Sequence, residues 1–135
     1  MAKNKLFNQD IKDYAYELGL SKIGIAKADF YLNDKSKLDN WLNNGYHASM
    51  RWIESRKEER SNIFNYYPNA KSVISVALNY FTGNASKNSE VAKFSNYAWG
   101  DDYHKVLKHL LFKMIGKIKN NNPRINAIAC VDTSP

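Results

Sequence analysis

The sequence predicts an α/β fold, a mixed sheet with flanking helices, and three observations support this class. Short apolar runs that suit strands alternate with segments of helical periodicity. Hydrophobic residues make up 44% of the 135 residues, which is enough for a core. Nine Tyr, six Phe and three Trp supply large side chains of the kind that folded chains bury and disordered chains lack. This length predicts one domain.

The first elements are predicted to be a helix, a strand and a second helix. The first helix spans residues 8–18, with Asn8 as its N-cap and Gly19 as the left-handed residue that ends it. The strand is "KIGIAKA", in which isoleucines alternate with smaller or polar residues. The second helix spans residues 35–43 and stops at Gly45.

The middle of the chain is predicted to hold short helical turns, a turn at Pro68-Asn69 and a second strand. That strand, "SVISVALNY", is β-branched and nearly all apolar, and this pattern predicts burial on both faces. The polar stretch "TGNASKNSE" after it is predicted to be a flexible loop.

The last third is predicted to hold a long amphipathic helix and a third strand. The helix spans residues 102–119, carries carboxylates at its start and ends before "NNNPR". The strand spans residues 125–131. Because the helix lies between two apolar runs, it predicts a right-handed crossover that joins parallel neighbours.

Charge and cysteine content limit the functional classes. The chain has 20 Lys and Arg against 13 Asp and Glu, a net charge of +7, which favours polyanionic partners such as nucleic acid. Its one cysteine, Cys130, excludes an internal disulfide, and one thiolate cannot hold an iron–sulfur cluster or a structural zinc site. Without an apolar stretch of about 20 residues or a secretory signal, the expected compartment is the cytoplasm, with no membrane contact.

Two segments carry candidate chemistry near the carboxyl end. Asp132 follows the predicted third strand. It can serve as a turn residue, which is the commoner role for Asp, or as a general acid. In "YAWGDDYH", Tyr97, Tyr103 and His104 bring phenol and imidazole groups to a helix start. Core aromatics beside a helix cap are the commoner interpretation of that pattern.

A third candidate is a basic set with aromatic neighbours. Arginine with stacking aromatics suits RNA, whereas a solvated helical face is the commoner origin of such charges. The set comprises Arg51, Arg56, Lys57 and Arg60, with Trp52 and Tyr66 nearby.

The ordered segments "GYHASMRWIESRKEERSNIFNYYPNAKSVISVALNY", "SNYAWGDDYHKVLK" and "VDTSP" resemble the amino-terminal region of the epoxyqueuosine reductase family. The resemblance implies an α/β cobalamin-binding domain. It also implies an enzyme that reduces epoxyqueuosine to queuosine in the tRNA anticodon loop, with cobalamin and two [4Fe–4S] clusters. Asp132 matches the family's proton donor and is also expected among the cofactor-binding residues. Arg60 and Ser95 match positions that contact cobalamin, and Tyr97, Tyr103 and His104 match a motif near the cofactor.

Past "VDTSP" the family continues into two cysteine motifs, which are not among these 135 residues. The resemblance therefore predicts that residues 1–135 form a single, incomplete amino-terminal cobalamin-binding domain without its iron–sulfur domain, inactive alone. Two alternatives stay open. One is a related cobalamin-dependent reductase of a small molecule, and the other is a non-catalytic RNA-binding module.

Overall fold

A computed structural model describes residues 8–81, 83 and 92–132. Both helices and strands are present along the chain, and four consecutive helices separate the two strands. In order, they are α1 (Asn8–Glu17), β1 (Lys22–Lys27), α2 (Leu32–Asn43), α3 (Arg51–Glu54), α4 (Lys57–Ser61), α5 (Ile63–Tyr66), β2 (Ser72–Ala77), a 3-10 turn (Asn96–Ala98) and α6 (Tyr103–Asn121).

The helix predictions are largely confirmed. Helix α1 begins at Asn8, and Gly19 after it has φ +84°, the left-handed conformation that glycine adopts without steric cost. Helix α6 begins after Asp102, whose side chain caps it, and ends before Pro123. Helix α2 starts at Leu32, three residues before the predicted start, because the Tyr31 carbonyl accepts bonds from the next turn without a side-chain cap. The predicted short helical turns are α3, α4 and α5.

The sheet differs from its prediction. Within the described residues it has only two strands, β1 and β2, paired antiparallel, so it is not a mixed sheet. Backbone bonds from Ser21 N to Ala77 O (2.7 Å) and from Ala28 N to Lys71 O (3.0 Å) close its two ends. Burial of β2 on both faces is also wrong. Ile74 and Val76 are half-buried while Val73 is 37% exposed, because one face of this two-stranded sheet is open.

The predicted third strand is not formed. Residues 125–131 have no strand pairing, and Ile128 is 46% exposed. The predicted parallel crossover is therefore wrong for the described residues. An apolar run favours extended backbone, but a strand also needs a partner edge. The loop predicted at residues 82–90 lies outside the described residues apart from Gly83.

The described residues fall into two compact units. The first contains residues from 1–24 and 75–131, and its helices α1 and α6 pack against each other. Its buried apolar residues are Ala15, Leu20, Met114 and Ile118. Polar contacts join the same two helices: Asn121 Nδ2 donates to Tyr14 Oη at 2.8 Å, and Lys117 pairs with Glu17.

The second unit contains residues 25–74 with Asp132, and helices α2 and α4 pack within it. Its buried apolar residues are Ala28, Leu42 and Ala70. Lys35 Nζ lies 3.1 Å from Asp39 and 3.6 Å from Glu58 on α4. The hydrogen bond to Asp39, the largest cause, raises the pKa of Lys35. No helix among the described residues is long and apolar enough to span a membrane.

Candidate functional site

Four rings meet near the amino end of α6, and we call them the aromatic cluster: Tyr80, Tyr97, Tyr103 and His104. The rings of Tyr80 and Tyr97 pack edge to face with centroids 6.2 Å apart, and Tyr97 packs on Tyr103 in the same way at 5.9 Å. Tyr103 and His104 stack at 4.1 Å. The three residues predicted from "YAWGDDYH" are thus brought together, and Tyr80 joins them from the segment that follows β2. Pairwise ring packing fixes the orientation of each phenol.

Asp102 holds His104 in a defined orientation. Its Oδ1 accepts from the His104 backbone N–H at 3.0 Å and lies 2.9 Å from His104 Nδ1. Because an ionised carboxylate only accepts, the proton of the neutral ring lies on Nδ1, which leaves the buried Nε2 as the basic nitrogen. The ring hydrogen bond, followed by the backbone hydrogen bond, lowers the pKa of Asp102 below its usual value. The sequence predicts a carboxylate at the start of α6, but the bond from Asp102 to the imidazole has no local sequence signal.

Replacing Asp102 with alanine is expected to lower the Tm by several degrees at pH 7, because the α6 cap and the imidazole anchor are both lost. The pKa of Asp102 is lower in the folded chain, so its contribution is complete above the unfolded value of 3.8 and is lost as the pH falls through the folded value. The Tm difference between parent and variant should therefore be constant near neutrality and shrink below about pH 4.

Thermal melts followed by circular dichroism between pH 7 and pH 3 measure this difference. Asp101→Ala is the matched control, because Asp101 is the neighbouring exposed carboxylate and does not cap α6. Equal losses in the two variants, or a difference that does not change with pH, would contradict the assigned role of Asp102.

Large aromatic side chains are unusually exposed between Tyr80 and Trp99. We call five of them the aromatic surface: Tyr80 (59% exposed), Phe81 (60%), Phe94 (76%), Tyr97 (51%) and Trp99 (51%). Trp99 Nε1 donates to the Phe94 carbonyl at 3.1 Å, which fixes the indole. Contiguous exposed apolar area marks binding surfaces in folded proteins, and two pairs here are in contact, Tyr80 with Tyr97 and Phe94 with Trp99. Phe81, Phe94 and Trp99 were not predicted as site residues, although "NYF" and "AKF" place the two phenylalanines beside polar residues and Trp99 lies within "YAWGDDYH".

Ser95 lies at the start of the 3-10 turn, beside the aromatic cluster in sequence. It is exposed, and its carbonyl accepts from Ala98 N at 2.9 Å. This turn places Tyr97 two residues beyond Ser95 in the same unit. A hydroxyl and a phenol are therefore presented by one short segment.

Arg60 is the half-buried member of the predicted basic set. It lies on α4 in the second unit, half-buried, with its guanidinium carbon 4.7 Å from the centre of the Trp52 ring. This stacking restricts the planar guanidinium to one orientation. Arg51, Arg56 and Lys57 are exposed, as expected for a solvated face.

Asp132 is exposed and lies at a turn in the second unit. The remainder of "VDTSP" lies outside the described residues. Cys130 is exposed as well, and no three His, Cys, Asp or Glu residues of the described chain come together as metal ligands.

Comparison with known proteins identifies the family. The family described as "Epoxyqueuosine reductase QueG, DUF1730" matches residues 60–133. The chain is 43% identical over 130 residues to an epoxyqueuosine reductase of Atelocyanobacterium thalassa, covering 94% of this chain and 41% of the relative. It is 34% identical over 132 residues to that of Escherichia coli, covering 94% of this chain and 35% of the relative. The chain thus spans about two fifths of the length of the relatives it matches.

The fold agrees with a solved structure of the same family. The epoxyqueuosine reductase of Streptococcus thermophilus superposes with a TM-score of 0.70 at 26% identity, covering 87% of this chain and 32% of that one. The resemblance to the epoxyqueuosine reductase family that the ordered sequence segments indicated is therefore confirmed. The chain belongs to the epoxyqueuosine reductase QueG family and corresponds to the amino-terminal part of its members.

Proposed function

We propose that this chain is the cofactor-binding and proton-donating part of an enzyme that reduces epoxyqueuosine to queuosine in tRNA. The observation that carries the proposal is the extent of the family match, residues 60–133, which begins at Arg60 and includes Asp132. The residues to which the family resemblance gave a role, from Arg60 to Asp132, all lie within it. In this proposal Arg60, Ser95 and the aromatic cluster contact cobalamin, and Asp132 donates a proton.

The described residues suit a corrinoid ligand. Cobalamin is a broad ring system with amide side chains and a phosphate-bearing tail, and it needs apolar contact area and polar donors together. The aromatic surface supplies exposed apolar area, while Ser95 and the tyrosines supply hydroxyls. Arg60 supplies a guanidinium oriented by Trp52, which suits phosphate or amide oxygens. When bound, cobalamin supplies the reducing electrons.

Proton donation is the chemical task assigned to Asp132. Opening an epoxide and releasing its oxygen as water requires protons as well as electrons, and a carboxylic acid is a suitable donor. Asp132 is exposed in the chain without ligands. A bound ligand that covers it would withdraw the carboxyl from water and favour its protonated form. The proposal therefore requires the substrate or cofactor to cover Asp132.

Iron–sulfur clusters do not fit the residues of this chain. A [4Fe–4S] cluster needs about four thiolates, and the chain has Cys130 alone. The residues that pass electrons to the cofactor must therefore belong to sequence other than these 135 residues. We infer that the chain needs such a partner segment to turn over.

The purified chain, supplied with cobalamin, iron, sulfide and a reductant, is expected to convert no epoxyqueuosine in tRNA. A chimera in which it replaces the matching segment of the Atelocyanobacterium thalassa relative, 43% identical over that segment, is expected to convert it. Mass spectrometry of the tRNA nucleosides measures both. Turnover by the chain alone would refute the need for a cluster segment.

Cobalamin titration of the chimera, followed by visible absorption, separates the alternatives. Cofactor binding without conversion of the tRNA substrate would favour a reductase of a small molecule. A chimera that folds and assembles its clusters but binds no cobalamin would contradict the proposed cofactor role of Arg60, Ser95 and the aromatic cluster.

A further inference from the structure

The outer face of α6 is strongly basic, and we call it the lysine face: Lys105, Lys108, His109, Phe112, Lys113 and Lys119. All six side chains are exposed, at helical spacings of three, four and seven residues. Met114 and Ile118, on the opposite side of α6, are 2% and 6% exposed. The lysine face therefore points to solvent while the inner face of the helix forms the core of its unit.

An ordinary solvated helix intersperses charges of both signs, and α6 does not. Helices α1, α2, α3 and α4 each carry at least one acid, whereas the nineteen residues of α6 contain none. Lys117 is paired with Glu17 of α1, but no ion pair among the described residues involves the four lysines of the lysine face. Their charges thus add to a single positive field.

The lysine face has the dimensions of a nucleic-acid contact. Lys105 and Lys119 are fourteen residues apart, which corresponds to about 21 Å along a helix. A line of cations of this length can pair with several successive phosphates of one strand. Phe112, 58% exposed, lies among the lysines and offers a ring on which a base can stack.

A lipid surface fits less well. A helix that lies on a bilayer inserts a broad apolar face. In α6 that face is packed into the core, and the outer face offers one large apolar side chain, Phe112. Because the lysine face offers positive charge but little apolar area, it suits a phosphodiester backbone better than a lipid surface.

We propose that the lysine face of α6 binds the phosphate backbone of RNA. This deepens the proposed function by naming a surface for the RNA partner, and it rests on that function for the choice of RNA among polyanions. Binding requires neither cobalamin nor clusters. Its test is therefore made on the chain without cofactors, and its result is separable from that of the conversion assay.

The test measures fluorescence anisotropy of a labelled RNA hairpin shaped as a tRNA anticodon stem–loop, titrated with the full 135-residue chain at several salt concentrations. The triple variant Lys108→Gln, Lys113→Gln and Lys119→Gln is expected to bind at least about tenfold more weakly near 0.1 M salt. Its plot of log K against log salt should be less steep by about two, because about 0.7 counterions are released per phosphate of a single strand.

The matched control removes the same three charges from the sheet: Lys22→Gln, Lys27→Gln and Lys71→Gln, at positions that are also exposed. It is expected to bind within about twofold of the parent, since surface lysines away from the contact act only through weak long-range fields. Circular dichroism confirms that both variants are folded. Equal weakening in the two triples, or an unchanged slope in the first, would overturn the proposal. Tighter binding to anionic phospholipid vesicles than to the hairpin would also overturn it.

Discussion

Met114→Ala is expected to lower the free energy of unfolding by about 2–5 kcal/mol, the range for removing a large apolar side chain from a core. Met114 is 2% exposed and lies on the inner face of α6, in the unit where α6 packs on α1. The buried neighbours in that unit are few, namely Ala15, Leu20 and Ile118. With so few large side chains available to refill the cavity, the loss should be a large part of a typical total of about 5–15 kcal/mol.

Urea unfolding followed by circular dichroism measures this effect. Phe112→Ala is the matched control, because Phe112 lies on the same helix but is 58% exposed, and its loss should cost less than about 1 kcal/mol. Met114→Leu keeps the volume and should cost less than about 1.5 kcal/mol, so a folded variant exists even if the alanine variant does not fold. Equal destabilisation by Met114→Ala and Phe112→Ala would show that burial on α6 is not what stabilises this unit.

The helices were predictable because their signals are local. In α1, Gly19 follows the helix with φ +84°, a carboxyl-terminal signal that the local sequence displays. In α6, Asp102 accepts the cap bond at one end and Pro123 follows the other, while the apolar stripe specifies the buried face. Such signals depend on neighbours within a few residues, which the sequence displays directly.

The sheet was less predictable because pairing is not a local property. The alternation in β1 and the β-branched apolar run in β2 predicted strands correctly, but neither pattern states which edges pair or in which direction. Residues 125–131 have the same apolar character and still form no ladder within the described residues. The exposure of Val73 and Ile128 has the same origin, since hydrophobic composition predicts a tendency to burial and not the element that covers the side chain.

The candidate site was likewise predictable only where its residues are close together in sequence. Tyr97, Tyr103 and His104 were selected from one sequence word, and they come together because a 3-10 turn and the first turn of α6 lie within eight residues of each other. Tyr80 comes from a segment 17 residues earlier, and no local pattern connects it to the cluster. The stacking of Arg60 on Trp52 was not predicted, because the sequence showed only that the two residues are near each other and the contact depends on how the short helices pack.

In the chimera described above, Asp132→Asn is expected to lower the rate of epoxyqueuosine reduction at least about 100-fold, since general acid catalysis typically contributes 10²–10⁴-fold. The amide keeps the size and hydrogen-bonding shape of the carboxyl but has no acidic proton. Cobalamin absorption and cluster content should be unchanged, because neither depends on a proton from this side chain. Single-turnover assays on tRNA measure the loss in the reductive step itself.

Two comparisons separate proton donation from a structural role of Asp132. Asp34→Asn makes the same chemical change at a carboxylate that is 70% exposed on α2, and it should leave the rate unchanged. Parent activity should fall as the pH rises through the pKa of the donor carboxyl in the complex. The Asp132→Asn variant should lose this decrease in its pH–rate profile. If Asp132 only supported the fold, the variant would keep a profile of the same shape. A loss smaller than about tenfold, or a profile that keeps its basic limb, would transfer the donor role to another group. The next residue to replace would then be His104 of the aromatic cluster, whose ring is held by Asp102.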